Sequence, residues 1–243
     1  MIYFISDIHL GYGGKKEQKE RETLLLEFLR KARDDMEQLW IAGDLFDYWF
    51  EYKTVIPRAY TRTLAMLYEI RQSGIPVEYL MGNHDFGHKT YFENDLDIPV
   101  HRNDISREIL GKKFYLSHGD GKAYNDTGYK ILKKILRNPV SNKLYRLLHP
   151  DLGIWLASSS SHSSRGMSDT KDYGRSDGMK DFARARIEQD GYDYVIMGHR
   201  HKAEMIEFNG GYYINLGEWL KNPTFGRFDG EEFYLEKVRD VLR

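Results

Sequence analysis

Residues 39–44 read Leu39-Trp40-Ile41-Ala42-Gly43-Asp44, four apolar residues that run straight into a glycine and a carboxylate. Such a run predicts a buried strand over 39–42. A strand that delivers the backbone to an ionisable group at its carboxyl end points to an open α/β sheet, whose ligands collect there. The same event recurs along the chain. Strands predicted over 2–5, 77–80, 113–117 and 194–197 lead into Asp7-Ile8-His9, Gly82-Asn83-His84-Asp85, His118-Gly119-Asp120 and Gly198-His199-Arg200-His201, and 212–216 is a sixth apolar run. Between them Leu24, Leu25, Phe28, Leu29 and Ala32 fall at helical spacing, as do Ala59, Thr63, Leu64, Leu67 and Ile70, with a further helix near 179–189. Strand alternating with helix predicts a layered α/β domain.

Composition narrows the function. The 243 residues carry 36 Lys+Arg and 37 Asp+Glu, a formal charge of −1, which sets aside a bulk polyanion binder. With 41% hydrophobic and 14% aromatic residues the chain is not disordered. It has no cysteine, so disulfides, thiolate metal ligands and a cysteine nucleophile are excluded together. Residues 1–5 read as a buried strand rather than a signal peptide, because Asp7 and His9 follow at once with no basic start or small-residue cleavage site. No run approaches the roughly 18 apolar residues of a spanning helix, so a soluble or at most surface-attached protein is expected. Without a Gly-x-x-x-x-Gly-Lys-Ser/Thr loop, a P-loop kinase or ATPase is disfavoured.

One segment breaks the alternation. Residues 122–149 hold seven Lys/Arg against one acid. We read 1–243 as a single domain in which 122–165 is an inserted helical cap. In it Ile131, Leu132, Ile135 and Leu136 share a helix face among Lys130, Lys133, Lys134 and Arg137; Pro139 ends that helix, and Leu144, Leu147 and Leu148 begin another. The plain reading is a basic, solvated helix pair. The sharper one is a lid for a substrate bearing both acyl chains and phosphates, able to dock on an anionic membrane.

The strand-end motifs are weak singly and informative together, since five of the nine histidines fall inside them. Carboxylate, amide oxygen and imidazole suit divalent ions such as Mn²⁺, Fe²⁺ or Zn²⁺. Two ions about 3.5–4 Å apart need a shared carboxylate, and Asp44 is the natural bridge. Gly43 would let the backbone turn sharply there, as Gly82 and Gly198 would beside their own neighbours. Residues i and i+2 of a strand share a face, so Asp7 with His9, and His199 with His201, are expected to converge.

This ordered set resembles the calcineurin-like metallophosphoesterase family, whose blocks D-x-H, GD-x-x-D, GNH[DE], an isolated H and GH-x-H are matched between residues 7 and 201. The resemblance implies a sandwich of two mixed β-sheets flanked by helices. It places one metal on Asp7, His9, Asp44 and His201, and the other on Asp44, Asn83, His118 and His199. His84 would stay free of metal to serve the scissile phosphate as proton donor or electrostatic stabiliser, Asp85 would orient it, and Asp47 would have a similar supporting role or cap a helix. Hydrolysis through activated water is the reaction implied.

Within that family the sequence 43–49, His118-Gly119-Asp120, Asp126-x-Gly128-Tyr129 and the insertion resemble bacterial UDP-2,3-diacylglucosamine pyrophosphohydrolases of lipid A biosynthesis. These cleave a lipid-linked UDP-sugar to UMP and a diacylglucosamine 1-phosphate at the cytoplasmic face of the inner membrane. Two divalent ions, Mn²⁺ first among them, are implied. Asn83, Asp126, Arg165 and Arg200 would touch substrate; Asp126 equally suits the cap of a helix starting near Thr127. The chain keeps His84 where the best-known branch has arginine, and reads Gly198-His199-Arg200-His201-Lys202-Ala203 where that branch favours Gly-His-Thr-His-Arg-Pro. The alternatives are a soluble nucleotide or phosphodiester as substrate, or a non-catalytic scaffold on the same fold. A nuclease is disfavoured because the basic charge is confined to the insertion, and no obligate protein partner is implied.

Overall fold

Strand alternation governs the layering. In β1 (Ile2–Ile5) and β2 (Gln38–Ile41), Tyr3, Ile5, Leu39 and Ile41 face one way, while Ile2, Phe4 and Trp40 face the other, and all are buried. The computed structural model, which describes residues 1–122, 138–156 and 178–243, shows what each face meets. The first set packs on α1 (Lys15–Ala32) and α2 (Thr61–Gln72) through Leu25, Phe28, Leu29, Leu64, Leu67 and Ile70. The second meets Phe114, Leu116, Ile196 and Ile214 of another sheet. Beyond that sheet Val195, Met197 and Tyr213 are covered by Met179, Ala183 and Ile187. Each fully buried Leu, Ile or Phe stabilises this arrangement by roughly 1.5–3 kcal/mol.

Both sheets are mixed. The first runs in the order β11-β10-β1-β2-β3-β4, with β3 at Val77–Leu80, β4 at Val100–His101, β10 at Thr224–Phe228 and β11 at Phe233–Lys237. The second runs β5-β6-β7-β9-β8, with β5 at Ile105–Ile109, β6 at Lys112–Leu116, β7 at Tyr194–Met197, β8 at Glu204–Phe208 and β9 at Gly211–Asn215. β1 to β4 are parallel, as are β6, β7 and β9, so the carboxyl ends within each run open on the same edge of its sheet. A short α3 (Tyr91–Asn94) follows β3.

Two helical pieces of the expected insertion are described, α4 (Pro139–Tyr145) and a segment over 150–156. The helix expected over 131–137, which Pro139 would end, lies outside the described residues. Asn138 caps α4 by accepting from the amides of Val140 and Ser141, and Pro139 occupies the first turn, where a missing N–H costs nothing. Leu144 therefore lies in the last turn of α4, and Leu147 and Leu148 lie in the turn that follows. The next helix, α5 (Gly178–Asp190), is the one that covers the second sheet. Among the described residues no helix is long and apolar enough to cross a membrane.

Candidate metal centre

The five strand-end motifs meet in one ring. Asp7 Oδ1 lies 3.7 Å from His9 Nε2 and 3.3 Å from His201 Nε2, and the two imidazole nitrogens are 3.1 Å apart. On the other side Asn83 Oδ1 sits 2.9 Å from His118 Nε2 and 2.8 Å from His199 Nδ1. Asp44 stands between them, with Oδ2 3.8 Å from His9 Nε2 and 3.3 Å from His118 Nε2. Asp7, His9, Asp44 and His118 are almost wholly buried, whereas the side chains of His84 and His201 are 16% and 33% exposed, so the ring opens to solvent on their side.

The convergence does not come from strand alternation, because Asp7 and His9 lie beyond β1, and His199 and His201 beyond β7. Asp7, His9, Asp44, His199 and His201 have φ of 52°, 49°, 53°, 69° and 55°. This left-handed conformation costs a non-glycine residue about 1–2 kcal/mol; among the described residues only Asp97 and Leu110 share it elsewhere. Loop-to-loop hydrogen bonds hold it in place. Asp7 N donates to Gly43 O (3.1 Å), His9 N to Asp44 O (3.0 Å), Trp219 N to Asp7 O (3.1 Å) and Gly198 N to His118 O (3.0 Å). Of the three glycines only Gly43 is needed for its turn, at φ 89°. Gly82 and Gly198 are needed for room, because a Cβ on either would overlap the carboxylate of Asp44 or Asp7.

Supporting groups fix the rings. His118 Nδ1 donates to Ala42 O at 2.9 Å, which leaves Nε2 as the lone-pair nitrogen facing Asp44 and Asn83. His84 Nδ1 donates to Asp47 O at 3.2 Å and lies 3.6 Å from Asp47 Oδ1, while its amide donates to Asp44 Oδ1 at 2.8 Å. The supporting contact expected of Asp47 is thus made through its carbonyl. The Asp85 carboxylate instead accepts from the amides of Leu45 (2.9 Å) and Gly82 (2.7 Å) and from the Tyr79 hydroxyl, tying the two loops that carry Asp44 and Asn83. Two supports escaped the sequence reading. Buried Arg21 donates to His9 O at 2.8 Å and Tyr12 O at 3.0 Å, and nothing marks it within the polar run 15–22. Asn215 donates to Gly198 O at 2.7 Å, and it carried the same signal as the others, a polar residue closing an apolar strand. Arg200 lies half-buried in the loop between His199 and His201. Asp126 and Arg165 lie outside the described residues.

Burial alone would raise the Asp7 carboxyl, but the His201 and His9 imidazoles and the charge of His118 hold it well below the usual range. Asp44 is lowered likewise, burial being outweighed by the charges of His118 and His84. Burial and the charge on His118 push His199 down to about 4, and burial and the nearby Asp44 push Asp85 up to about 6. Two buried anions therefore face one another and need positive charge between them. Among the described residues buried Asp7 Oδ1 accepts no hydrogen bond, and Asp7 with His9 and His201, Asp7 with Asp44 and His118, and His9 with Asp44 and His84 each form a group whose donor atoms lie within 4.8 Å. The donor set, oxygen and imidazole without sulfur, fits hard to borderline divalent ions.

Two mixed sheets presenting such a ring at their strand ends define a metal-dependent hydrolase. The chain belongs to the calcineurin-like phosphoesterase family, whose model matches residues 1–203 and so takes in all five motifs. Among curated proteins it is 31% identical over 258 aligned residues to a UDP-2,3-diacylglucosamine hydrolase of Porphyromonas gingivalis, covering 99% of this chain and 98% of that one. Proteins of the same name from Neisseria meningitidis serogroup B and Haemophilus influenzae are 28% and 25% identical, covering 94% and 90% of this chain and 94% and 91% of theirs.

Proposed function

We propose that the protein hydrolyses the pyrophosphate of UDP-2,3-diacylglucosamine, or a closely similar acylated nucleotide sugar, to UMP and the acylated sugar 1-phosphate. The observation that carries this reading is the near end-to-end likeness to relatives bearing that name. The segment 138–156 supports it: Val140, Leu144, Leu147, Leu152, Trp155 and Leu156 are all exposed beside Lys143 and Arg146. Large exposed apolar groups rimmed by cations suit a substrate with both acyl chains and phosphates.

In this reading Asp7, His9, Asp44 and His201 hold one divalent ion and Asp44, Asn83, His118 and His199 a second, with Mn²⁺ the expected metal. Ions bound there would neutralise phosphate charge and acidify a water to attack phosphorus. The chain's own groups do the rest. Because His84 Nδ1 is committed to the Asp47 carbonyl, Nε2 carries the exchangeable proton, and the partly exposed ring can stabilise or protonate the phosphate oxygens. Arg200 and Asn83 would bind the diphosphate, with Asp126 and Arg165 on the sugar side.

The test is UMP release by the Mn²⁺-loaded protein from UDP-2,3-diacylglucosamine and from UDP-N-acetylglucosamine, beside an Asn83→Ala control. Release from the acylated substrate alone is expected. If neither substrate yields UMP while a chromogenic phosphodiester is hydrolysed, the lipid reading fails and soluble nucleotides take its place. Peripheral attachment at the cytoplasmic face of the inner membrane is part of the same reading, and failure to sediment with anionic vesicles at low salt would refute that part.

A further inference from the structure

Residues 48–52, Tyr48-Trp49-Phe50-Glu51-Tyr52, form a strap that leaves the Asp44–Asp47 loop and passes beneath the helical segment 138–156. Its underside is bound to the stretch after the Gly82–Asp85 motif. Gly87 N donates to Trp49 O and Glu51 N to Gly87 O, both at 3.1 Å, and a Cβ on Gly87 would overlap the Trp49 carbonyl. Its upper side carries α4. Tyr48 Oη donates to Tyr145 Oη at 3.3 Å, Tyr145 Oη donates to Gly153 O at 2.5 Å, and Arg146 Nε donates to Glu51 O at 3.2 Å. The Phe50 and Tyr145 rings are 4.7 Å apart, with the Arg146 guanidinium 5.7 Å over Phe50. Gly153 completes the joint, since a Cβ there would overlap Tyr52 Oη and lie 3.3 Å from the Tyr145 ring.

Two neighbouring residues therefore have opposite duties. Asp47 holds His84 through its carbonyl, and Tyr48, the next residue, holds α4 through its hydroxyl. Tyr48, Trp49, Phe50 and Glu51 are all buried, so the strap has little freedom to absorb a shift. A displacement of α4 bears on the peptide between Asp47 and Tyr48, and from there on the His84 ring.

We propose that Tyr145 is a positioning residue that, through Tyr48 and Asp47, couples the seating of segment 138–156 to the placement of His84. The proposal rests on the reading of His84 as the group that serves the phosphate. It makes the segment part of the catalytic geometry as well as a cover for substrate, so a well-seated segment sets the turnover rate.

The test compares Tyr145→Phe, Gly153→Ala, His84→Ala and the Tyr145→Phe/His84→Ala double variant in the full chain. The first keeps the ring on Phe50 and removes the hydroxyl; the second adds a methyl where Tyr52 Oη sits. With Mn²⁺ and bis(p-nitrophenyl) phosphate, which has no acyl chain to reach the segment, each single junction variant should lower kcat about fivefold with KM nearly unchanged. Tyr145→Phe should cost nothing further in the His84→Ala background. In the metal-free chain the His84 ring resonances, assigned with His84→Ala, should move in both junction variants. Unmoved resonances, full additivity with His84→Ala, or an effect confined to KM for the acylated substrate would overturn the proposal. Absence of UMP release by the wild type would instead strike the substrate assignment, leaving the His84 resonances to decide the coupling.

Discussion

The ring and the segment 138–156 invert the ordinary distribution of residues in opposite senses. The ring buries carboxylates and imidazoles, with Asp7 and His9 fully inaccessible, while the segment exposes four-fifths of Leu147 and 62% of Trp155. A buried charge and an exposed apolar patch are the two departures that carry information, because single exposed apolar residues are common and mean little. The ring tolerates burial and left-handed backbone because several loops over-determine each position. The segment is held on its inner side, through Tyr145 and Arg146, and leaves its apolar groups on the outer side. In the proposed reading one region carries the chemistry and the other both meets the substrate and steadies the first.

The comparison breaks most sharply at Asp44. Asp44→Asn should lower hydrolysis by about 10³-fold, since both halves of the ring lose their shared charge; steady-state kinetics beside Mn²⁺ titration calorimetry will show whether affinity falls with it. Gly82→Ala comes next. The added methyl overlaps Asp44, so activity should drop about 10²-fold and stability by roughly 1–3 kcal/mol, measured by urea unfolding. Leu147→Ser tests the other region, where unfolding should stay within about 0.5 kcal/mol of wild type while KM for the acylated substrate rises about tenfold. An unchanged KM would detach the segment from substrate.

The smallest effect concerns a buried polar residue that lies outside the ring. His88 is enclosed by Trp49, Tyr79 and Phe92, with Glu51 Oε1 3.8 Å from Nδ1, and among the described residues neither ring nitrogen has a hydrogen-bond partner. Burial, aided by the charge of Arg102, holds it well below its usual 6.5. As pH falls through about 6.5 the unfolded chain takes up a proton there that the native one refuses, so acid lowers stability. Urea unfolding at pH 7 and pH 5 should show a shallower loss in His88→Phe than in wild type.

Much of this was legible in the residues themselves. The strands over 2–5, 77–80 and 194–197 were read to the residue because, Glu78 apart, they are apolar on both faces. β5, β8, β10 and β11 were not, since strands such as Glu204–Phe208 alternate with charge and β10 contains Gly226. Motif order brought Asp7, His9, Asp44, Asn83, His118, His199 and His201 into one expected set, and all seven meet in space. What the chain did not disclose is conformation. Strand alternation was the wrong reason for the paired Asp7 and His9, and although Asp47 was expected to support the site, no local pattern tells that it holds His84 by its carbonyl while the Asp85 carboxylate binds Leu45 and Gly82. Those partners are set by how loops forty residues apart are laced together.

β1 lies between β2 and β10, with Ile2 opposite Phe228. On the ribosome this strand emerges before β10 and must wait for residues near 228 before its second neighbour exists. His201, too, is made long after Asp7. Until then the ring is incomplete, and β1, paired with β2 alone, keeps one apolar edge open for longer still. Such a strand invites chaperone binding or mispairing until the sheet is closed. The last ring residue, His201, thus precedes the strand that closes the first sheet, and the ring rests on a finished floor only once β10 has been added.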